Sequence, residues 1–374
     1  MTESGILPAG ERGGRGSLLS IQVARGLAAI AVVAFHARAT EGKYFAGVDV
    51  LPTFFDHGSA GVDLFFVISG FVMVLTTGRL HGRPRNSGKF LWNRFFRIYP
   101  TYWVYCIVLL PVLIFMPAFI NSSEGGKVDI VRSFLLLPAE TLPLLLVAWT
   151  LTLEVWFYLV FAVILLLPKK WLAPALGLWL LALVAVNWNG AVVGNPFAEV
   201  PLNSLAIEFV LGGFAALVFR RVSRPVSAIL AVAGVAVLVF LGTETPVDIY
   251  AGPGLPRPLS LGLGFALLLL AATAFEHRGG IGVVGRLKVL GDMSYSVYLC
   301  HVLVLAVMGR IWVALSARIG TSVPLVILWW VVTLVAILAV GYLSYRLIER
   351  PVMRLSRSWR DRVFAPRDRA SSLV

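Results

Sequence analysis

The chain has 374 residues, of which 59% are hydrophobic and only 14% charged, a balance far from that of a water-soluble domain. Its net charge of +13 comes from Lys and Arg residues that punctuate apolar runs instead of gathering in a basic module, which excludes nucleic-acid recognition. The two cysteines, Cys106 and Cys300, both lie inside apolar stretches and predict neither a disulfide framework nor a zinc site, and no other ligand cluster calls for a metal.

A helix needs about 20 largely apolar residues to cross a hydrocarbon core about 30 Å thick. Ten segments meet that length, near 19–40, 60–78, 99–120, 146–167, 171–188, 203–221, 225–242, 258–275, 292–313 and 323–347. The pattern predicts an all-α, polytopic membrane bundle of about ten helices. The first segment superficially resembles a signal peptide ending at Ala37-Arg38-Ala39. Cleavage is not expected, because Arg25 interrupts the run, the stretch is long enough to span and many apolar segments follow. With the N-terminus inside, most of the 32 Lys and Arg residues fall in cytoplasmic segments, which predicts both termini on the cytoplasmic side. Residues 1–17 then form an N-terminal tail, 18–350 the membrane domain and 351–374 a basic cytoplasmic or surface-bound tail. The longest outer loop, 121–145, carries a Leu135–Leu137 patch that either lies at the interface as a short helix or packs down on the bundle.

Ionisable groups inside spanning helices cost at least about 2.5–3.5 kcal/mol on insertion scales, so each is a candidate for function. Arg25 and His36 stand eleven residues apart on the first helix. That spacing separates them by only about 20° around the axis and roughly 16 Å along it, so they share one face. Arg25 near the cytoplasmic end suits a phosphate, and His36, deeper, suits a general base through its near-neutral titration. A snorkelling arginine and a satisfied histidine are the structural alternative. Asp63, opening the second helix within Gly61-Val62-Asp63-Leu64-Phe65-Phe66, either orients His36 or caps its own helix. Arg94 and Arg97, three apart, form a paired cation suited to nucleotide phosphates, although positive-inside topology alone also places arginines there. Glu154 lies roughly 10 Å into the fourth segment, with Tyr158 one turn later on the same face. It either orients an imidazole, binds an acceptor hydroxyl or pairs with a structural cation. Ser294, Tyr298 and His301 make a stripe on the ninth segment, which either binds substrate or is hydrogen-bonded packing.

These residues sit within a series of motifs: Ala24-Arg25-Gly26-Leu27-Ala28-Ala29 with His36, Gly61 to Phe71, Arg94-Phe95-Phe96-Arg97-Ile98-Tyr99-Pro100, and Trp149-Thr150-Leu151-Thr152-Leu153-Glu154. Glu208-Phe209-Val210-Leu211-Gly212, the run from Leu290 to His301, and Glu349-Arg350-Pro351 complete it. In that order, and along nearly the whole chain, they resemble the integral-membrane acyltransferase family 3, especially its exopolysaccharide and lipopolysaccharide O-acyltransferases. The resemblance implies ten spanning helices in a bacterial inner membrane, a cytoplasmic acyl-CoA donor, a hydroxyl acceptor on a carbohydrate or lipid-linked glycan, and essential roles for Arg25 and His36. One departure touches the phosphate site. The family often carries two arginines four apart in the third motif, and Asn93 stands at the first of those places here.

The expected chemistry follows. Arg25, Arg94 and Arg97 hold the nucleotide of acyl-CoA, foremost acetyl-CoA, and the pantetheine arm threads the thioester towards His36. His36 takes the acceptor proton, with Asp63 or Glu154 orienting the imidazole, and Tyr158, Ser294, Tyr298 and His301 contact substrate. A covalent acyl-histidine and direct transfer both remain open at this stage. The rival classes are a transporter or flippase for a lipid-linked glycan, which predicts no CoA release, and an inert scaffold, which predicts that His36 is dispensable.

Overall fold

The computed structural model describes residues 18–45, 47–121, 127–190, 194–242, 254–279 and 288–364. The N-terminal tail 1–17 lies outside the described residues, as does the end of the chain beyond 364. Among the described residues the secondary structure is helical without strands. In chain order the helices are α1 (Leu19–Tyr44), α2 (Gly61–Thr77), α3 (Pro84–Phe115), α4 (Ile130–Leu135), α5 (Trp149–Ile164), α6 (Leu172–Val186) and α7 (Pro196–Glu199). They continue with α8 (Ala206–Val218), α9 (Arg224–Leu241), α10 (Leu263–His277), α11 (Lys288–Ile319), α12 (Val323–Ser344) and α13 (Arg350–Val363).

Nine helices among the described residues are long and apolar enough to cross a membrane. The outward faces of α9 and α12 remain apolar and exposed, at Ile229, Val232 and Phe240 and at Ile327, Val331 and Val335, as contact with lipid tails requires. The sequence predicts about ten spans, and the remaining segment, 203–221, holds α8, which is too short to count among the nine. Its 13 residues rise only about 20 Å. Asn203 and Ser204, both fully buried, precede it in turns, and the Asn203 carboxamide oxygen accepts from Leu205 N at 3.0 Å. Helix α8 is enclosed by α2, α6 and α10, so it has no lipid thickness to match.

Apolar side chains gain little by leaving lipid for protein, so helix association here depends on close backbone approach. Helix α1 packs on α11 and α2 on α8. A Cβ at Gly212 would collide with the Val67 carbonyl, and one at Gly70 with the Phe209 carbonyl, so the α2–α8 crossing requires glycine on both helices. We expect Gly212→Ala to cost about 1–3 kcal/mol through overpacking. A lower unfolding midpoint in detergent would show it, whereas Gly78→Ala, with open space around the position, leaves the midpoint in place.

The loop 121–145 packs down. Its described part folds into α4 and reaches the middle of α3, where Tyr102 Oη donates to Ser133 O at 2.7 Å, Trp103 Nε1 to Phe134 O at 2.9 Å and Tyr99 Oη to Leu135 O at 2.9 Å. Leu136 is 1% exposed, whereas Leu135 and Leu137 on either side are 47% and 38% exposed. The carbonyls that accept these bonds belong to the last turn of α4, where a helix leaves acceptors open and the α3 side chains supply donors.

Most of helix α13 lies in the basic segment 351–374, within its described part. A π-helical turn, Tyr345–Glu349, leads from α12 into it. It then lies along α3, with Trp92 Nε1 donating to Ser356 Oγ at 3.2 Å, Arg360 Nη1 to Asn93 Oδ1 at 3.2 Å, and the Trp359 ring edge-on to Phe96.

Candidate active site

Two cavities meet in the bundle. The inner one, about 110 Å³, is lined by Arg25, Arg94, Arg97, Glu154, Tyr158 and Tyr298 among the residues anticipated from sequence, and by Ser69, Phe65 and Thr150. The second, about 420 Å³, opens at the basic end of the bundle and shares Arg25 and Arg97 with the first.

Each arginine reaches this place for a local reason. Arg25 projects from α1 where Gly291 of α11 presses against the backbone of Gln22, leaving no room for a side chain. Arg97 pairs with Glu349, at the end of the π-helical turn, and lies over the Tyr295 ring at 5.3 Å. Glu349 is fixed in turn by Ser296 Oγ at 2.7 Å. Arg94 stacks over Phe90 and Tyr158 at 5.3 and 5.2 Å. It therefore reaches the cavity although Asn93 stands where the family often has arginine. The Asn93 carboxamide instead accepts from Arg360 of α13.

Glu154 does not reach His36. Its Oε1 accepts from Ser69 Oγ at 2.6 Å and from Tyr158 Oη at 2.5 Å, which holds the carboxylate in the wall of the inner cavity. Asp63 departs further from expectation. The helical path of α2 extends back through a 3-10 segment, Thr53–Ala60, so Asp63 lies well inside a span running from Thr53 to Thr77 and makes no side-chain cap. Both its oxygens are taken by Arg257, from Nε at 2.8 Å and Nη2 at 2.7 Å, and the pair is buried. A guanidinium is the stronger partner for a buried carboxylate, and it turns Asp63 to Arg257, not to His36. Arg257 went unremarked in the sequence, where its one signal is a cation directly before an apolar run.

The residues of the ninth-segment stripe lie in different surroundings. Ser294 Oγ is bonded to Gly291 O at 2.8 Å, within its own helix, and lines neither cavity. Tyr298 lines the inner cavity, its hydroxyl 2.7 Å from Thr150 Oγ1 and donating to Val147 O at 3.0 Å. His301, fully buried, meets His36, with Nε2 3.2 Å from His36 Nδ1.

That contact assigns the protons. His301 Nδ1 is 2.7 Å from Tyr298 O, and a carbonyl only accepts, so Nδ1 carries the hydrogen and Nε2 of the neutral ring offers a lone pair. His36 Nδ1, 3.0 Å from Val32 O, then donates to both Val32 O and His301 Nε2. The hydrogen-bond network thus leaves the lone pair of His36 on Nε2, the state a general base needs. The histidine pair lies one ring beyond the inner cavity, behind Tyr298, whose centroid is 5.8 Å from that of His301. His36 is therefore in contact with His301 and the Val32 carbonyl and hydrogen-bonded to neither expected carboxylate. We expect His301→Leu to lower kcat about tenfold with KM little changed, since Val32 O still receives the Nδ1 proton. His301→Gln, which restores an acceptor, should recover part of the loss, and an unchanged kcat in His301→Leu would show that the contact is packing alone.

A family model described as an acyltransferase domain matches residues 18–346. The chain belongs to acyltransferase family 3. It is similar to the exopolysaccharide production protein ExoZ of Rhizobium meliloti, 30% identical over 87% of this chain and 96% of that protein. It is also similar to acyltransferase MdmB of Streptomyces mycarofaciens, at 28% over 93% and 95%. With peptidoglycan O-acetyltransferase OatA of Listeria monocytogenes it shares 26% identity over 90% of this chain but 56% of that protein. No solved structure matches the chain. It is a multi-pass membrane acyltransferase, which sets aside the transporter and scaffold alternatives. Among the described residues, no group of three or more His, Cys, Asp or Glu side chains is placed to hold a metal ion.

Proposed function

We propose that the protein transfers an acyl group, foremost acetyl, from acyl-CoA to a hydroxyl of a carbohydrate or lipid-linked glycan at a bacterial inner membrane, with its basic end in the cytoplasm. The observation that carries this is the order of groups from one end inwards. An arginine-rich cavity adjoins an aromatic one, with Arg25 and Arg97 lining both, and beyond Tyr298 lies a histidine with its Nε2 lone pair available. The names of ExoZ and OatA support a glycan acceptor.

In this mechanism the nucleotide is held by arginines at the basic end, and the pantetheine arm runs along the Arg25 face of α1 towards His36. The acceptor oxygen attacks the thioester carbonyl carbon while its proton passes to His36 Nε2. Collapse breaks the C–S bond, the departing CoA sulfur takes the proton back from His36, and an ester remains on the acceptor. Glu154, held by Ser69 and Tyr158, is placed among the cavity arginines to offset their charge when the donor is absent.

The test is CoA release by the purified protein in lipid nanodiscs, given acetyl-CoA and a glycan extract, with intact-mass analysis of the glycan. Stoichiometric CoA and a gain of one acetyl mass are expected. Hydrolysis of acetyl-CoA unaffected by any glycan would overturn the acceptor assignment.

A further inference from the structure

The basic cavity contains three arginines to which the mechanism above gives no individual part. Arg350, Arg354 and Arg357 stand at i, i+4 and i+7 on α13, which places them on one stripe spanning roughly 10 Å along the helix. With Arg25 and Arg97 they line the same cavity, against two carboxylates, Asp292 and Glu349, the second already paired with Arg97. Among the described residues no ion pair is formed by Arg25, Arg350, Arg354 or Arg357, and Arg97 Nη2 is buried without a hydrogen-bond partner. So dense a set of like charges around one cavity is unfavourable unless an anion of matching charge enters it.

A basic helix beside a membrane also attracts anionic headgroups, so a phosphate monoester on a lipid and one on a nucleotide would be recognised by the same chemistry. Two features favour the nucleotide. The cavity shares Arg25 and Arg97 with the inner one, so an anion held there adjoins the space that leads towards His36, whereas a headgroup needs no such neighbour. The far side of α13 is fastened to α3 through Trp92, Asn93 and Phe96, which fixes the arginine stripe over the cavity.

We propose that Arg354 and Arg357 bind the 3′-phosphate of the acyl-CoA nucleotide, leaving the diphosphate to Arg25 and Arg97, so that the enzyme selects 3′-phosphorylated donors. This rests on the acyl-CoA assignment of the preceding section. The cavity order gives the allocation: the diphosphate adjoins the pantetheine arm and so lies nearest the shared arginines, and the 3′-phosphate lies farther along the stripe.

The experiment compares acetyl-CoA with acetyl-dephospho-CoA as donors for the full-length protein in phosphatidylcholine nanodiscs. The proteins are wild type, the double variant Arg354→Gln/Arg357→Gln, and Arg362→Gln, an exposed position on α13 that lines neither cavity. Wild type and Arg362→Gln should prefer acetyl-CoA by about tenfold or more in kcat/KM, the scale of one charge-assisted pair. The double variant should lose that preference through KM, to within about twofold, and an unshifted unfolding midpoint would certify its fold. A double variant that keeps the wild-type preference overturns the proposal, and so does a wild type with none. The proposal also fails if both donors lose activity equally and only in nanodiscs containing phosphatidylglycerol, because the stripe then binds headgroups. Should wild type release no CoA from either donor, the acyl-CoA assignment itself falls, an outcome distinct from the others.

Discussion

Replacing His36 by alanine should lower turnover about a thousandfold while the bundle stays folded. General-base assistance contributes about 10²–10⁴-fold, and nothing else within reach can replace it. Asp63 is engaged by Arg257 and Glu154 by Ser69 and Tyr158. His301 presents a lone pair to His36, but its other nitrogen is bound to a backbone carbonyl and the ring is wholly buried, so it cannot reach the acceptor in place of His36. The loss should appear in kcat, with KM for acetyl-CoA little changed, because the donor's charged end is held by arginines on the far side of the inner cavity. Steady-state CoA release measures both. A variant retaining more than about a tenth of wild-type turnover would falsify the general-base role.

The second large effect is expected at the Asp63–Arg257 pair, in stability. Removing either partner leaves an uncompensated charge inside the bundle, which costs about 3–5 kcal/mol. Asp63→Leu and Arg257→Met should each lower the unfolding midpoint sharply. Together they should restore much of it, because a well-packed apolar pair often matches a buried ion pair. A double variant less stable than both singles would show that the charges are needed by further partners. A single variant with an unshifted midpoint but lost turnover would move Asp63 into the chemistry.

What could be read in the sequence was local to one helix. Arg25 and His36 share a helical face by spacing alone, and Glu154 and Tyr158 are neighbours by the same rule, confirmed by the 2.5 Å contact. Pairings between distant helices were illegible. His36 and His301 are 265 residues apart, and Asp63 and Arg257 are 194 apart, so only the packing of α1 on α11 and of α2 beside the start of the α10 segment reveals them. Helix α8 is shorter than the apolar segment 203–221, because that segment runs through Asn203 and Ser204, whose side chains favour turns over helix interiors. Helix α13 escaped for the opposite reason: hydropathy registers lipid contact, and a basic amphipathic helix resting on protein carries no such signal.

The placement of Arg25 and His36 on one uninterrupted helix bears on which changes the chain can absorb. A substitution between them alters a side chain, but one inserted residue turns His36 by about 100° relative to Arg25 and carries it about 1.5 Å along the axis. That rotation would face the imidazole away from His301 and Tyr298 whatever residue was added. Insertions at 127–129, non-helical among the described residues, meet no such rule. Length variation in this enzyme is thus confined to its loops, and the interval from Arg25 to His36 is held by geometry even where its residues are free to change.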